Sequence, residues 1–157
     1  MIVVALLCGI SAAGAYGIAG STRSQEAAAL ARGIEFAAME ARGEAVSDGT
    51  QRRLSCTATG CALLVASAPG MAAPPAWTSE GTVIAAGRAS QVWAVDGNTD
   101  LAPTQPPGPL SGARAITFFP DGSSTAATVF VCDASCAKKY KVYVFSATGM
   151  SRLSDQW

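Results

Sequence analysis

The chain has no histidine. That absence removes the Ser-His-Asp and Cys-His nucleophile systems, the usual neutral-pH acid/base and every histidine-containing metal site. A surplus of charge is missing too: 11 basic and 11 acidic residues cancel, and only 14% of the chain is charged. Nucleic acid is therefore not an expected partner, because neutralising phosphates takes an excess of Lys and Arg. Disorder is excluded from the other side, since half the residues are apolar and the mean hydropathy is +0.29. At 157 residues the chain has the length of one domain.

The apolar residues are unevenly spread. From Met1 to Thr22 there is no charged side chain, and Arg23 is the first. Twenty-two helical residues reach about 33 Å, enough to cross the hydrocarbon core of a bilayer. Two other readings compete with a retained membrane helix. A cleaved secretory signal would use Ala13-Gly14-Ala15 as its cleavage site, but no basic segment precedes the apolar run. A lipid anchor at Cys8 would put the large Leu7 where a small residue is needed. Within the run, Gly9, Ala13 and Gly17 lie four apart and form a small-residue stripe suited to close helix packing. Cys8 itself reads as a small hydrophobe.

Polar but helix-compatible sequence follows. Ala27, Leu30, Ile34, Ala38, Ala41 and Ala45 recur at three- and four-residue steps, which is one apolar helix face, and Ser47-Asp48-Gly49 supplies a stop. Gly33 and Gly43 are the weak points of that helix. Beyond residue 50 the period becomes that of strands: Arg52–Cys56, Cys61–Val65, Thr82–Ala86, Gln91–Val95, Ala115–Phe119, Thr128–Cys132 and Tyr140–Phe145. Pro120-Asp121-Gly122 is a turn, and the four prolines between Leu101 and Gly112 mark a loop.

Cys56 and Cys61 bracket a hairpin, and Cys132 and Cys136 sit at a strand end. Two local disulfides are the natural pairing for an exported domain, while a four-thiolate zinc site fits the spacing loosely and needs a reducing compartment. Catalytic candidates are thin. Ser123 and Ser124 follow a turn that accounts for them, and Asp96 and Asp100 lack the pattern of a calcium loop. Lys138, Lys139 and Lys141 are all the lysines of the chain. They read first as a solvated strand edge that blocks edge pairing, and second as a docking patch for an acidic partner. Trp77, Trp93 and Trp157 read as core or rim. No catalytic, cofactor or metal residue is assigned, and the protein is not expected to be an enzyme.

The order of parts resembles the type IV pilin-like proteins, in particular the minor pseudopilins and minor pilins of the GspH/FimT group. Met1-Ile2-Val3-Val4-Ala5-Leu6-Leu7 resembles the middle of that family's N-terminal helix, and Ala27–Gly49 its passage toward the first strand. Ile116–Ser124, with Phe118-Phe119-Pro120-Asp121-Gly122, resembles the late strand and turn, and Val142–Leu153 the closing hairpin. The family's leader and its Gly-Phe-Thr-Leu-Ile-Glu-type cleavage site are not among these residues. The resemblance implies an α+β, pilin-like fold: a long N-terminal helix packed on an antiparallel β-sheet domain. Its parts would be a transmembrane or filament-core helix at 1–20, an amphipathic helix at 21–47 and a periplasmic β-rich domain at 48–157.

It implies a subunit that assembles a type II secretion pseudopilus or a type IV pilus, held in the inner membrane by a single pass and methylated after processing. The implied partners are other pilin-like subunits, the inner-membrane assembly platform and, before assembly, membrane lipid. No cofactor is implied. The competing class is a membrane-anchored or secreted periplasmic module that binds a ligand through the loops of residues 66–112.

Overall fold

The computed structural model describes residues 2–67, 75–86, 90–97 and 113–157, with side chains described from Gln25 onward except at 82, 83, 90 and 93–96. Helix α1 (Ile2–Asp48) runs unbroken through Gly33 and Gly43 and ends ahead of Gly49. The predicted apolar face is buried throughout: Ala27, Ile34, Ala38, Ala41 and Ala45 are 0% exposed, and Leu30 is 5% exposed. Ala31 and Ala37 join them, so the face is broader than the pattern suggested and built almost wholly of small residues. Small side chains bring the helix backbone close to what it covers. At Gly33 an added Cβ would stand 3.4 Å from Cγ2 of Ile84.

The helix covers two four-stranded antiparallel sheets. The first contains β1 (Arg52–Thr57), β2 (Gly60–Ala66), β3 (Trp77–Ala85) and, after a sheet change, β5 (Arg114–Phe118). Its order is β3-β2-β1-β5. The second contains β4 (Ser90–Asp96), β6 (Ala127–Asp133), β7 (Lys139–Val144) and β8 (Ser151–Ser154), in the order β4-β6-β7-β8. Alternation sets the faces. In β1, Arg52, Leu54 and Cys56 turn inward while Arg53, Ser55 and Thr57 are half-exposed.

β6 departs from alternation because both of its faces are covered. Val129 and Val131 join the main core under the helix, while Phe130 and Cys132 pack on the far side with Trp157. Leu54, Ile116, Phe118, Val142 and Val144 complete the main core, each worth about 1.5–3 kcal/mol of burial.

Two expectations need adjusting. β3 begins at Trp77, five residues before the predicted Thr82. The lysine-bearing strand is not a sheet edge: β7 lies between β6 and β8, because the short strand Ser151–Ser154 pairs along it. The proline-rich stretch Leu101–Gly112 and Asp100 lie outside the described residues.

Candidate functional site

The outward surface of α1 inverts the usual distribution of residue sizes. Phe36 is 66% exposed, Met39 50% and Val46 49%. With Gly43 between them, these residues follow three- and four-residue steps on the side opposite the alanines. Large apolar groups thus face outward from a helix whose inner face is filled by methyl groups.

Two side chains bolt this helix to the end of the second sheet. Glu35 Oε1 accepts a hydrogen bond from the backbone N–H of Leu153 at 2.9 Å, and the Ser151 hydroxyl donates to the Glu35 carbonyl at 3.2 Å. The helix thereby closes the outer edge of β8, which would otherwise offer unpaired backbone groups to another strand. One turn pair further along, Arg42 Nε donates to the carbonyls of Thr148 at 2.6 Å and Gly122 at 3.3 Å. That clamp explains Gly149, whose φ is +60°. A Cβ there would lie 2.5 Å from the Gly122 carbonyl oxygen and 3.1 Å from Arg42 Cδ.

On one flank of the helix, carboxylates surround a buried arginine. The Arg52 side chain is 7% exposed and forms ion pairs with Asp48 at 2.6 Å, with Glu44 at 3.3 Å and with Glu80. Contacts with Glu80 and Asp48 are also hydrogen bonds, whereas Glu44 Oε2 is buried without one. Burial raises the Glu44 carboxyl above its ordinary value; Arg52 pulls it down, while Glu80, Glu40 and Asp48 push it up. Burial lowers the Arg52 pKa, yet its hydrogen bonds to Glu80 and Asp48 outweigh that and hold the guanidinium charged.

The other flank is basic. A groove of about 740 Å³ is lined by Arg32 of α1 and by Lys141 and Arg152 of β7 and β8, with Tyr143, Phe145 and Asp155. Lys141 is itself buried, with Nζ 4.7 Å from the Tyr143 ring centre. Beside it the far face of the second sheet carries a small core of its own. Phe130 and Trp157 meet edge to face at 5.5 Å, Trp157 Nε1 donates to the Tyr140 carbonyl at 3.1 Å, and Lys139 Nζ stands 4.8 Å over the Trp157 ring.

The residues singled out in the sequence fall as follows. Cys56 is bonded to Cys61 directly across the β1–β2 pair, and Cys132 to Cys136 around the turn after β6. Asp133 holds that turn, accepting from the Ala137 N–H at 2.8 Å and from the Ser135 hydroxyl at 3.1 Å. Gly9, Ala13 and Gly17 lie on α1, but their side-chain positions, like that of Cys8, are outside the described residues. Asp96 and Trp93 lie on β4 with their side chains likewise outside them.

Ser123 and Ser124 do turn work. The Ser123 hydroxyl and N–H both donate to Asp121 Oδ1, keeping that carboxyl below its ordinary pKa, and the Ser124 hydroxyl donates to the Phe145 carbonyl. Trp77 is half-buried beneath Arg53, whose Cζ is 3.8 Å from the ring centre. Among the described residues no group of three or more His, Cys, Asp or Glu side chains is placed to hold a metal ion, and no helix is long and apolar enough to cross a membrane. The uncharged run Met1–Thr22 precedes the first described side chain.

The Glu35 and Arg42 bolts were not foreseen, and nothing local in the sequence marks them, because their partners are backbone groups of distant turns. The carboxylate flank did leave a trace: Glu40, Glu44, Asp48 and Arg52 step by four along the helix and into β1.

Against known proteins, the chain matches over residues 26–149, more than half its length, the model of a family described as type II transport protein GspH. Its fold is similar to the minor pseudopilin EpsH of the type 2 secretion system of Vibrio cholerae, with a TM-score of 0.62 at 14% identity, covering 83% of this chain and 97% of that one. A second EpsH structure, again at 14% identity, gives 0.62 over 85% and 96%. The solution structure of Escherichia coli GspH gives 0.58 at 12% identity over 87% and 91%. No curated protein sequence matches the chain.

Proposed function

We propose that this chain, which belongs to the GspH family of type II transport proteins, is a minor pseudopilin that works by packing against neighbouring subunits. Its role is in assembling a type II secretion pseudopilus. The observation that carries the packing mechanism is the divided use of α1. The alanine face is consumed by the chain's own sheets, while Phe36, Met39 and Val46 remain outward, where a neighbouring subunit can cover them.

The rest of the proposal follows the helix toward its start. Residues 1–20 are held in the inner membrane and pass into the filament core on assembly, with residues 21–47 as the amphipathic continuation and 48–157 as the periplasmic domain. Exchanging lipid for neighbouring helices costs little, because both surroundings are apolar. The stripe Gly9, Ala13 and Gly17 would allow close helix approach there. An assembly platform in the inner membrane would draw the subunit out. The work is assembly rather than catalysis.

Complementation tests this. Cells lacking the chain are given the wild type, a Gly17→Leu variant or a Phe36→Glu/Met39→Glu variant, and the secreted protein in the medium is measured. Both variants should retain an oxidised, protease-resistant β domain and lose most secretion. A wild-type chain that restores no secretion, or both variants secreting at the wild-type level, overturns the reading.

A further inference from the structure

The two disulfides lie in different surroundings. Cys56–Cys61 belongs to the main core, with its cysteines 0% and 1% exposed, and no reagent reaches it unless that core opens. Cys132–Cys136 lies instead in the small cluster with Phe130 and Trp157, on the face of β6 turned away from α1. Cys132 is fully buried there, but Cys136 is only half-buried, in the turn that joins β6 to β7. Of the four bonded cysteines it is the one that keeps surface in water.

The backbone at Cys136 is strained. Among the described residues it alone, glycines apart, has φ in the left-handed region, at +51°. A residue with a Cβ adopts that conformation at a cost, and glycine ordinarily takes this place in a hairpin turn. The shape of the turn is held by groups other than the sulfurs. The Cys136 N–H donates to the Asp133 carbonyl at 2.9 Å, and the Asp133 N–H donates to the Lys138 carbonyl at 3.2 Å. Asp133 Oδ1 accepts from the Ala137 N–H at 2.8 Å and from the Ser135 hydroxyl at 3.1 Å. The bond spans a sequence separation of only four, so it restricts the unfolded chain less than a long-range bond would. A half-exposed sulfur on strained backbone, in a turn that other bonds shape, is the setting of a labile disulfide.

We propose that Cys132–Cys136 is a thiol-exchange site, opened by external thiols and closed again while Cys56–Cys61 stays bonded. A reductant thiolate attacks Cys136 Sγ, the bond to Cys132 breaks, and Cys132 Sγ leaves with the electron pair and takes up a proton. A second reductant thiolate attacks the outer sulfur of the mixed disulfide. Cys136 Sγ then leaves with its electron pair and is protonated, and the two reductant sulfurs depart joined as a disulfide. The protein gains two electrons and two protons, and the reductant loses them. Opening the bond lets Cys136 leave the left-handed region and loosens the seat of Trp157, while Asp133 keeps the two thiols near each other for reclosure. The inference concerns the face of β6 away from α1 and does not depend on the assembly role.

The test uses the full oxidised chain in detergent micelles, equilibrated in glutathione buffers of rising reduced fraction. Free thiols are then alkylated and mapped by peptide mass, which reads Cys8 separately. Cys132 and Cys136 should become labelled together, and reach half-reduction in a buffer at least tenfold more oxidising than the one that half-reduces Cys56 and Cys61. In dithiothreitol they should open at least tenfold faster. Hydrogen exchange should rise at least tenfold in residues 133–139 on that reduction and stay unchanged in α1, β1 and β2. Asp133→Ala should slow reclosure by oxidised glutathione at least fivefold.

Equal half-reduction of the two bonds, or earlier opening of Cys56–Cys61, overturns the proposal, and this wild-type measurement decides it should Asp133→Ala fail to fold. A Cys132→Ser/Cys136→Ser chain should keep α1 as protected from exchange as in the wild type. Loss of that protection, in the variant or on selective reduction, would make the bond a staple of the fold and overturn the exchange role. Reclosure of a folded Asp133→Ala chain at the wild-type rate would overturn the part given to the turn.

Discussion

The two faces of α1 between residues 27 and 46 have traded their expected contents. The inner face holds Ala27, Ala31, Ala37, Ala38, Ala41 and Ala45 with only Leu30 and Ile34 for bulk, all nearly or fully buried. On the outer face Phe36, Met39 and Val46 are about half exposed or more. An ordinary surface helix puts its large apolar groups inward, where burying them contributes most. Here the inner face trades side-chain bulk for proximity: the sheets supply Phe118, Ile116, Leu54 and the valines, and the helix settles onto them through its methyl groups. The outer face keeps the bulk that the chain itself does not use. The difference separates two tasks on one element, folding on the inside and association on the outside.

The inner face should be the easiest to break. Ala38 has no exposed surface, so Ala38→Leu inserts three carbon atoms where the sheets and helix already touch. Overpacking of this kind costs about 1–3 kcal/mol, and urea denaturation of the variant should show that loss through a lower midpoint at unchanged slope. A stability equal to wild type would mean that the helix rides loosely on the sheets. The clamp at the helix's far end comes next. Gly149→Ala places a Cβ against the Gly122 carbonyl and Arg42, in a backbone conformation that alanine disfavours, and should cost about 1–3 kcal/mol. If the clamp is what fixes the last hairpin, protease cleavage after Arg152 should accelerate in this variant more than elsewhere.

At the border between the faces sits Glu44, and its effect is a slope with pH. Its folded pKa lies above 4.5, chiefly through burial, so the folded chain binds more protons than the unfolded one between 4.5 and the raised value. Its contribution to stability therefore falls as pH rises through that window and is flat below it. Glu44→Gln should remove this decline, so the stability of the variant minus that of the wild type should grow from pH 4.5 toward neutrality. A difference that shrinks over the same range would show that attraction to Arg52 governs the site instead.

Local chemistry accounts for how much of this was readable. The inner helix face, the stop before Gly49, the hairpin of Cys56 and Cys61 and the turn at Asp121-Gly122 each follow from periodicity or turn residues a few positions apart. The placement of β7 inside its sheet did not, because Ser151–Ser154 is too short and polar to announce itself as a strand, and the lysines beside it looked like edge protection. Of the functional surface, the carboxylate steps Glu40, Glu44 and Asp48 could be seen in the sequence. Arg152 and Lys141 could not be paired with Arg32 without the fold, since 109 residues separate Arg32 from Lys141 and only the docking of α1 on β8 brings them to one groove. The outward row Phe36, Met39 and Val46 was hidden for a different reason: large apolar groups on a helix ordinarily turn inward, so their residue types did not mark them as exposed.

The smallest expected change in stability is also the sharpest test of the division of tasks. Phe36→Ser removes the most exposed large apolar side chain on the helix. A group already two-thirds in water has little burial left to lose, so the isolated chain should stay within about 0.5 kcal/mol of wild type. The cost should appear only when subunits meet, as reduced secretion in cells and weaker association in sedimentation. A stability loss above about 1 kcal/mol would show that Phe36 serves the fold after all and that the two faces are less divided than their burial indicates. Unchanged stability with unchanged secretion and association would place the intersubunit contact elsewhere on the helix. Loss of assembly alone, from a chain as stable as wild type, is the outcome that a folding face and a docking face on one helix require.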